Sequence, residues 1–96
     1  LSVLKGEKFD VAICTDVMEH IPPDNVRECL AGIRTVDAAK FAFAISCRPS
    51  TWLDKDGNNL HLTVWEPAKW ESELQDCGFT IGQSWWSHTL LLIEAS

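Results

Sequence analysis

Phe9-Asp10-Val11-Ala12-Ile13-Cys14-Thr15-Asp16-Val17-Met18-Glu19-His20-Ile21-Pro22-Pro23 decides the fold. The run from Val11 to Cys14 is apolar without interruption, the pattern of a strand buried on both faces of a parallel sheet. Thr15, Asp16, Glu19 and His20 follow at once, and two prolines close the segment. In open α/β sheets, ligands bind beyond the carboxyl ends of the strands. Two carboxylates and an imidazole at that place form a candidate site.

Working outward, Pro23 to Val36 predicts a helix. Val26, Cys29, Leu30, Ile33 and Val36 make one apolar stripe, and Pro22 and Pro23 suit its entrance, where a missing N–H does no harm. Lys40 to Ser46 is a second apolar strand. Two such strands joined by a helical crossover form a right-handed βαβ unit. A long polar connection, 47 to 65, then leaves the same rim as Asp16 to His20. At that length it reads as a lid or binding loop. Pro67 to Cys77 is the second helix, with Trp70, Leu74 and Cys77 inward, Gly78 as its stop, and Glu66 a poor cap at its start. Phe79 to Trp86 and His88 to Glu94 are two strands around a turn near Ser87, too close to pair other than antiparallel. The expectation is a single α/β domain over residues 1–96, a parallel βαβ followed by a helix and an antiparallel terminal hairpin.

The chain has 96 residues, which bounds it to one domain with a modest core. Its formal net charge of −6 argues against general affinity for nucleic-acid backbones. Cys14, Cys29, Cys47 and Cys77 form no C-x-x-C pair, which suits a reducing, cytoplasmic setting better than a disulfide framework. No apolar run approaches the roughly 20 residues that cross a bilayer, and the start lacks the layout of a signal peptide. The chain begins with Leu1 and not methionine, so it reads as the end of something longer.

The opening segment resembles the fourth strand and following turn, "FDvv…DvlEHi", of class I S-adenosylmethionine-dependent methyltransferases. His61-Leu62-Thr63, then Trp70 and Leu74, then Cys77-Gly78-Phe79 resemble the "HLt…W…l…GF" ending of the same proteins, in the same order and spacing. The resemblance covers nearly the whole chain and implies the carboxyl-terminal half of a Rossmann-like methyltransferase sheet. It also implies methyl transfer from S-adenosylmethionine to an oxygen, nitrogen or carbon nucleophile on a small-molecule or biopolymer acceptor. The family's glycine-rich cofactor loop has no counterpart, because Gly6, Gly32, Gly57, Gly78 and Gly82 form no G-x-G. The chain alone therefore lacks the amide cradle for the cofactor's amino-acid portion, and a missing amino-terminal half or self-association is expected.

Asp16 and Val17 match the positions that lie against the cofactor in that family; the plainer alternative is that Asp16 caps the turn. If the chain coils one helical turn, Asp16, Glu19 and His20 share a face. His20 is suited to take the proton of an attacking hydroxyl or amine. Glu19 either assists or braces the turn by hydrogen bonds. His61, from the long loop, completes a set similar to the metal ligands of some relatives. These are the small-RNA 3′-terminal 2′-O-methyltransferases and certain ubiquinone-pathway O-methyltransferases, which carry Glu where this chain has Asp16. Asp16, Glu19, His20 and His61 would suit Mn, Fe, Co or Zn, and such a metal would lower the pKa of substrate hydroxyls. Arg48 could clamp a carboxylate or phosphate, or be solvated. Trp52 and Trp65 could cover a substrate or anchor the loop. Trp85 and Trp86 alternate across a strand, so one faces outward, towards missing sequence or a partner. Two competing readings are a non-catalytic interaction module and a nucleotide-dependent oxidoreductase; the terminal hairpin and the Asp-Val-Met-Glu-His turn speak against the latter.

Overall fold

A computed structural model describes residues 8–87 and 89–96. Four strands, β1 (Lys8–Thr15), β2 (Asp37–Ser46), β3 (Ile81–Ser87) and β4 (Leu90–Ala95), and two helices, α1 (Val26–Arg34) and α2 (Pro67–Asp76), make a mixed α/β fold. The sheet order is β1-β2-β4-β3. β1 pairs parallel with β2, Ala12 opposite Phe41 and Cys14 opposite Phe43. β4 lies antiparallel between β2 and β3. The parallel βαβ and the terminal hairpin both stand where the apolar runs place them. His88 lies outside the described residues.

Element ends differ by a few residues, each for a local reason. Pro22 is extended (φ −56°, ψ 143°), and a short 3₁₀ turn over Pro23–Asn25 precedes α1, so the α-helix proper begins at Val26. β2 starts at Asp37, because only Thr35 and Val36 separate it from α1. Glu66 gives α2 no side-chain cap, and the helix instead opens with Pro67. At its other end Gly78 takes φ +95°, and Phe79 N–H closes back on Leu74 O at 3.0 Å. That is the left-handed stop for which glycine is best suited.

The core lies on one face of the sheet. Val26, Leu30 and Ile33 of α1 and Trp70 and Leu74 of α2 pack against Phe41, Phe43, Ile45, Leu91 and Ile93. Phe79 stands edge-on to Phe41 and Phe43 at 5.1 and 5.4 Å. Arg27 of α1 ties the two helices together through Glu73 at 2.9 Å and Asp76 at 3.0 Å. The other face carries no helix from the described residues. Val11, Ile13, Ala42, Ala44, Trp85 and Leu92 line an open groove of about 340 Å³ there. The expectation that β1 is buried on both faces is therefore corrected: Val11 and Ile13 are 45% and 70% exposed. The apolar run supplies side chains to both faces of the sheet, but both helices pack on the same side. Among the described residues no helix is long and apolar enough to cross a membrane.

Candidate functional site

The chain leaves β1 through Asp16, whose φ of +55° is a left-handed conformation that aspartate tolerates better than most residues. Only after that bend does it coil, in a single 3₁₀ turn over Met18–His20. Asp16 is thus outside the turn, and the expected shared face of Asp16, Glu19 and His20 does not form as one helical stripe. Met18 and Glu19 turn inward and are wholly buried, whereas His20 is exposed at the rim. Asp16 and Val17 are both exposed at the carboxyl end of β1.

The long connection returns over this turn and is fastened to it. Thr63 is buried; its backbone N–H donates to Glu19 O at 3.1 Å, and its hydroxyl donates to Ile21 O. Asn59 holds two parts of the loop together. Its Oδ1 accepts from the backbone N–H groups of Ser50 and His61, at 2.8 and 2.9 Å, and its Nδ2 donates to Ser50 O. A small turn, with Asp54 accepting from the amides of Asp56 and Asn58, and a Leu53–Asn59 bridge complete the segment. Those amides hold the Asp54 carboxyl below its ordinary range, the bond from Asn58 contributing most. Trp65 packs on Trp70 at 4.6 Å and so anchors the loop, whereas Trp52 is 74% exposed.

This strapping brings His61 to the turn. Glu19, His20 and His61 offer ligand atoms that all lie within 4.8 Å of one another, and Asp16 is not part of that cluster. The two imidazole rings meet edge-on at 5.0 Å. His20 Nδ1 lies 2.9 Å from Leu60 O, and His61 Nδ1 lies 2.6 Å from Arg48 O. A carbonyl oxygen only accepts, so each Nδ1 carries a hydrogen, and in the neutral ring Nε2 is then the atom with the lone pair. Both imidazoles are thereby fixed as bases or ligands through Nε2.

Glu19 supplies the electrostatic tension. Neither carboxylate oxygen has a hydrogen-bond partner, so Glu19 does not brace the turn through its side chain. Burying an unpaired carboxylate is costly, and such a group calls for an explanation. Cys14 and Cys47 lie close enough to feel it. Burial, then Cys29 and Glu19, push the Cys14 thiol up to about 11. Burial and then Glu19 do the same to Cys47, also to about 11. The thiols stay protonated at neutral pH and are poor nucleophiles or ligands there. An orphaned carboxylate beside two imidazoles whose Nδ1–H groups rest on backbone carbonyls fits a divalent metal of the Mn, Fe, Co or Zn kind.

Asp16 and His61 both line a polar cleft of about 380 Å³ over the ends of β2 and β4, together with Ser46, Arg48, Ser50, Thr51, Thr89 and Leu90. Asn59, Thr63 and the Leu60 carbonyl were not legible as site residues. They act through backbone contacts up to 44 residues away, and apart from Thr63, which closes the His61-Leu62-Thr63 match, nothing in a polar loop distinguishes them beforehand.

With this geometry in place, the comparisons are informative. No protein-family model matches the chain, and a search of curated proteins finds no match. Among solved structures it is similar to magnesium protoporphyrin IX methyltransferase from Synechocystis PCC 6803 with bound SAH, at TM-score 0.65 and 22% identity. The same enzyme with bound SAM matches at TM-score 0.60 and 19% identity. Each match covers 94% of this chain but only 45% and 39% of those chains, respectively. The fold is a partial Rossmann-like α/β sheet. The chain spans less than half the length of the structures it matches.

Proposed function

We propose that this chain is the carboxyl-terminal half of an enzyme that transfers the methyl group of S-adenosylmethionine to an acceptor nucleophile. The observation that carries this reading is the fold shared with SAM- and SAH-bound structures, with Asp16, His20 and His61 gathered at the carboxyl rim of β1 and β2. In the reaction, a lone pair of the acceptor attacks the methyl carbon. The carbon–sulfur bond breaks with its electrons going to sulfur, and S-adenosylhomocysteine leaves. Asp16 and Val17 would contact the cofactor from the carboxyl end of β1. His20 takes the acceptor's proton at Nε2, the nitrogen left free by the Leu60 carbonyl, with His61 and Glu19 beside it.

The amino-terminal half supplies what is absent from the described residues: further strands on the free edge of β1, helices over Val11, Ile13 and Trp85, and the amide cradle for the cofactor. The part of the matched chains lying outside the match is larger than this chain, which is the amount of structure such a cover requires. A cytoplasmic location follows from the cysteine pattern and belongs to the same proposal. Titrating S-adenosylmethionine into this chain joined to its amino-terminal half should give saturable binding and methyl transfer. No binding there would leave the competing reading, a non-catalytic interaction module.

A second reading, metal-assisted O-methyl transfer, is favoured by one observation, the unpartnered carboxylate of Glu19. Glu19, His20 and His61 would hold the ion, and Asp16 shares a cleft with His61. The ion would supply Lewis acidity that lowers the pKa of an acceptor hydroxyl. Thermal unfolding of the chain with and without Zn²⁺ or Mn²⁺ is the check. Binding to the folded state raises the midpoint by mass action, and Glu19→Gln should abolish that rise. A wild-type midpoint indifferent to both ions removes the metal.

A further inference from the structure

The structure assigns an acceptor class to the cleft: we infer that it takes a molecule bearing an oxyanion, carboxylate or phosphate, held by Arg48. This deepens the methyl-transfer reading and rests on it for the word acceptor, although the anion site itself does not. Three observations converge. First, Arg48 is a cation without an assigned role among the described residues. Arg27 is bound to Glu73 and Asp76, and Arg34 lies over Phe41 and Phe79 and donates to Gly78 O. Arg48 makes no ion pair there, in a chain with 14 acidic residues against 8 basic ones. Asp16 shares the cleft with it but does not pair with it.

Second, Leu90 apart, the walls around Arg48 are polar and carry hydroxyls. Ser46, Ser50, Thr51 and Thr89 contribute them, and the volume of about 380 Å³ suits a small metabolite or the terminal group of a larger one. Ser50 Oγ accepts from the Trp52 amide at 3.0 Å, which leaves its own hydrogen to donate. A guanidinium among hydroxyl donors is the chemistry that recognises an oxyanion.

Third, recognition and chemistry are mechanically joined. The carbonyl of Arg48 itself receives the His61 Nδ1–H at 2.6 Å, and Asn59 clamps the backbone of Ser50 to that of His61. The backbone that carries Arg48 and the His61 imidazole are therefore tied together. An acceptor anchored at Arg48 would lie in the same cleft as His61.

The test uses the 96-residue chain with inorganic phosphate and, separately, acetate, followed by amide NMR shifts at constant pH. Saturable shifts confined to residues 46–51, 61 and 89 are expected with at least one probe, and the tighter probe identifies the anion. Arg48→Gln should weaken that binding about tenfold, as expected for a lost hydrogen bond to a charged group. Arg48→Lys should restore part of it, and Lys55→Gln should not matter. Failure of both probes to saturate, or equal affinity in Arg48→Gln, overturns the proposal. Anion binding needs no cofactor. Phosphate binding by this chain, with no S-adenosylmethionine binding by the chain joined to its amino-terminal half, keeps this site and loses the methyl-transfer reading, and the converse result does the opposite.

Discussion

The two faces of the sheet are built from the same kinds of residue and meet different fates. On one, Phe41, Phe43, Ile45, Leu91 and Ile93 are almost wholly removed from water beneath α1 and α2. On the other, Ala42, Ala44 and Leu92 alternate with them along β2 and β4 and, with Val11 and Ile13 of β1 and Trp85 of β3, line an open groove. Strand alternation gives each face its own apolar set, and parallel pairing normally requires both to be covered. The difference teaches that the folding information for this chain is divided. One face is satisfied by the chain's own helices, and the other is left open by the described residues.

The largest effect that could break this comparison is a deletion on the covered face. Trp70 is fully buried, and Trp70→Ala should destabilise by about 3–5 kcal/mol, enough to unfold a chain of this size. Chemical denaturation measures it directly. The counterpart, Ile13→Ala, removes a side chain that is 70% exposed and should move the same midpoint by no more than about 0.5 kcal/mol. If the open-face deletion proved as costly as the covered-face one, Ile13 would already be packed against something, and the division into two faces would be wrong.

How much of this could be read beforehand depends on the range over which each contact acts. The strands and helices were legible because their apolar periods are local: the stripe from Val26 to Ile33 and the alternation from Phe41 to Ile45 say which side faces inward. The continuous run of Val11 to Cys14 showed a strand with two apolar faces. It could not show which face this chain covers, because that depends on where α1 and α2 pack. At the site, Asp16, Glu19 and His20 were visible as chemistry close to a strand end, and His61 as a distant partner. Their arrangement was not visible, because the left-handed bend at Asp16 shifts it out of the turn and sends Glu19 inward while His20 faces out. Asn59 and Thr63 escaped for the opposite reason. Their importance lies in which backbone groups they reach, a property of the folded loop and not of the residue.

A smaller effect sharpens what holds the covered face together beyond its apolar contacts. Glu73, on α2, is buried at its carboxylate and receives Lys69 from one turn earlier and Arg27 from α1, so it is the link between the two helices that lie on the sheet. Hydrogen bonding from Lys69, opposed by burial and then reinforced by Arg27, leaves its carboxyl below the ordinary carboxylate range. Because the folded-state pKa is depressed, the stabilisation is complete above the unfolded carboxyl value. It is lost as pH falls through that value and on through the lower folded one. Glu73→Gln should therefore lower stability at neutral pH by about 1 kcal/mol, discounted because Arg27 and Lys69 remain solvated. It should also flatten the acid limb of the stability curve. Both partners of Glu73 lie on the helical layer and neither touches the open groove, so the same substitution should leave the behaviour of the Ile13 face unchanged. Unfolding midpoints of Glu73→Gln, Ile13→Ala and the double variant, compared between pH 7 and pH 3, decide it. Additive changes keep the two faces independent, whereas a coupling between these sites would mean that the uncovered side already contributes to the packing of the covered one.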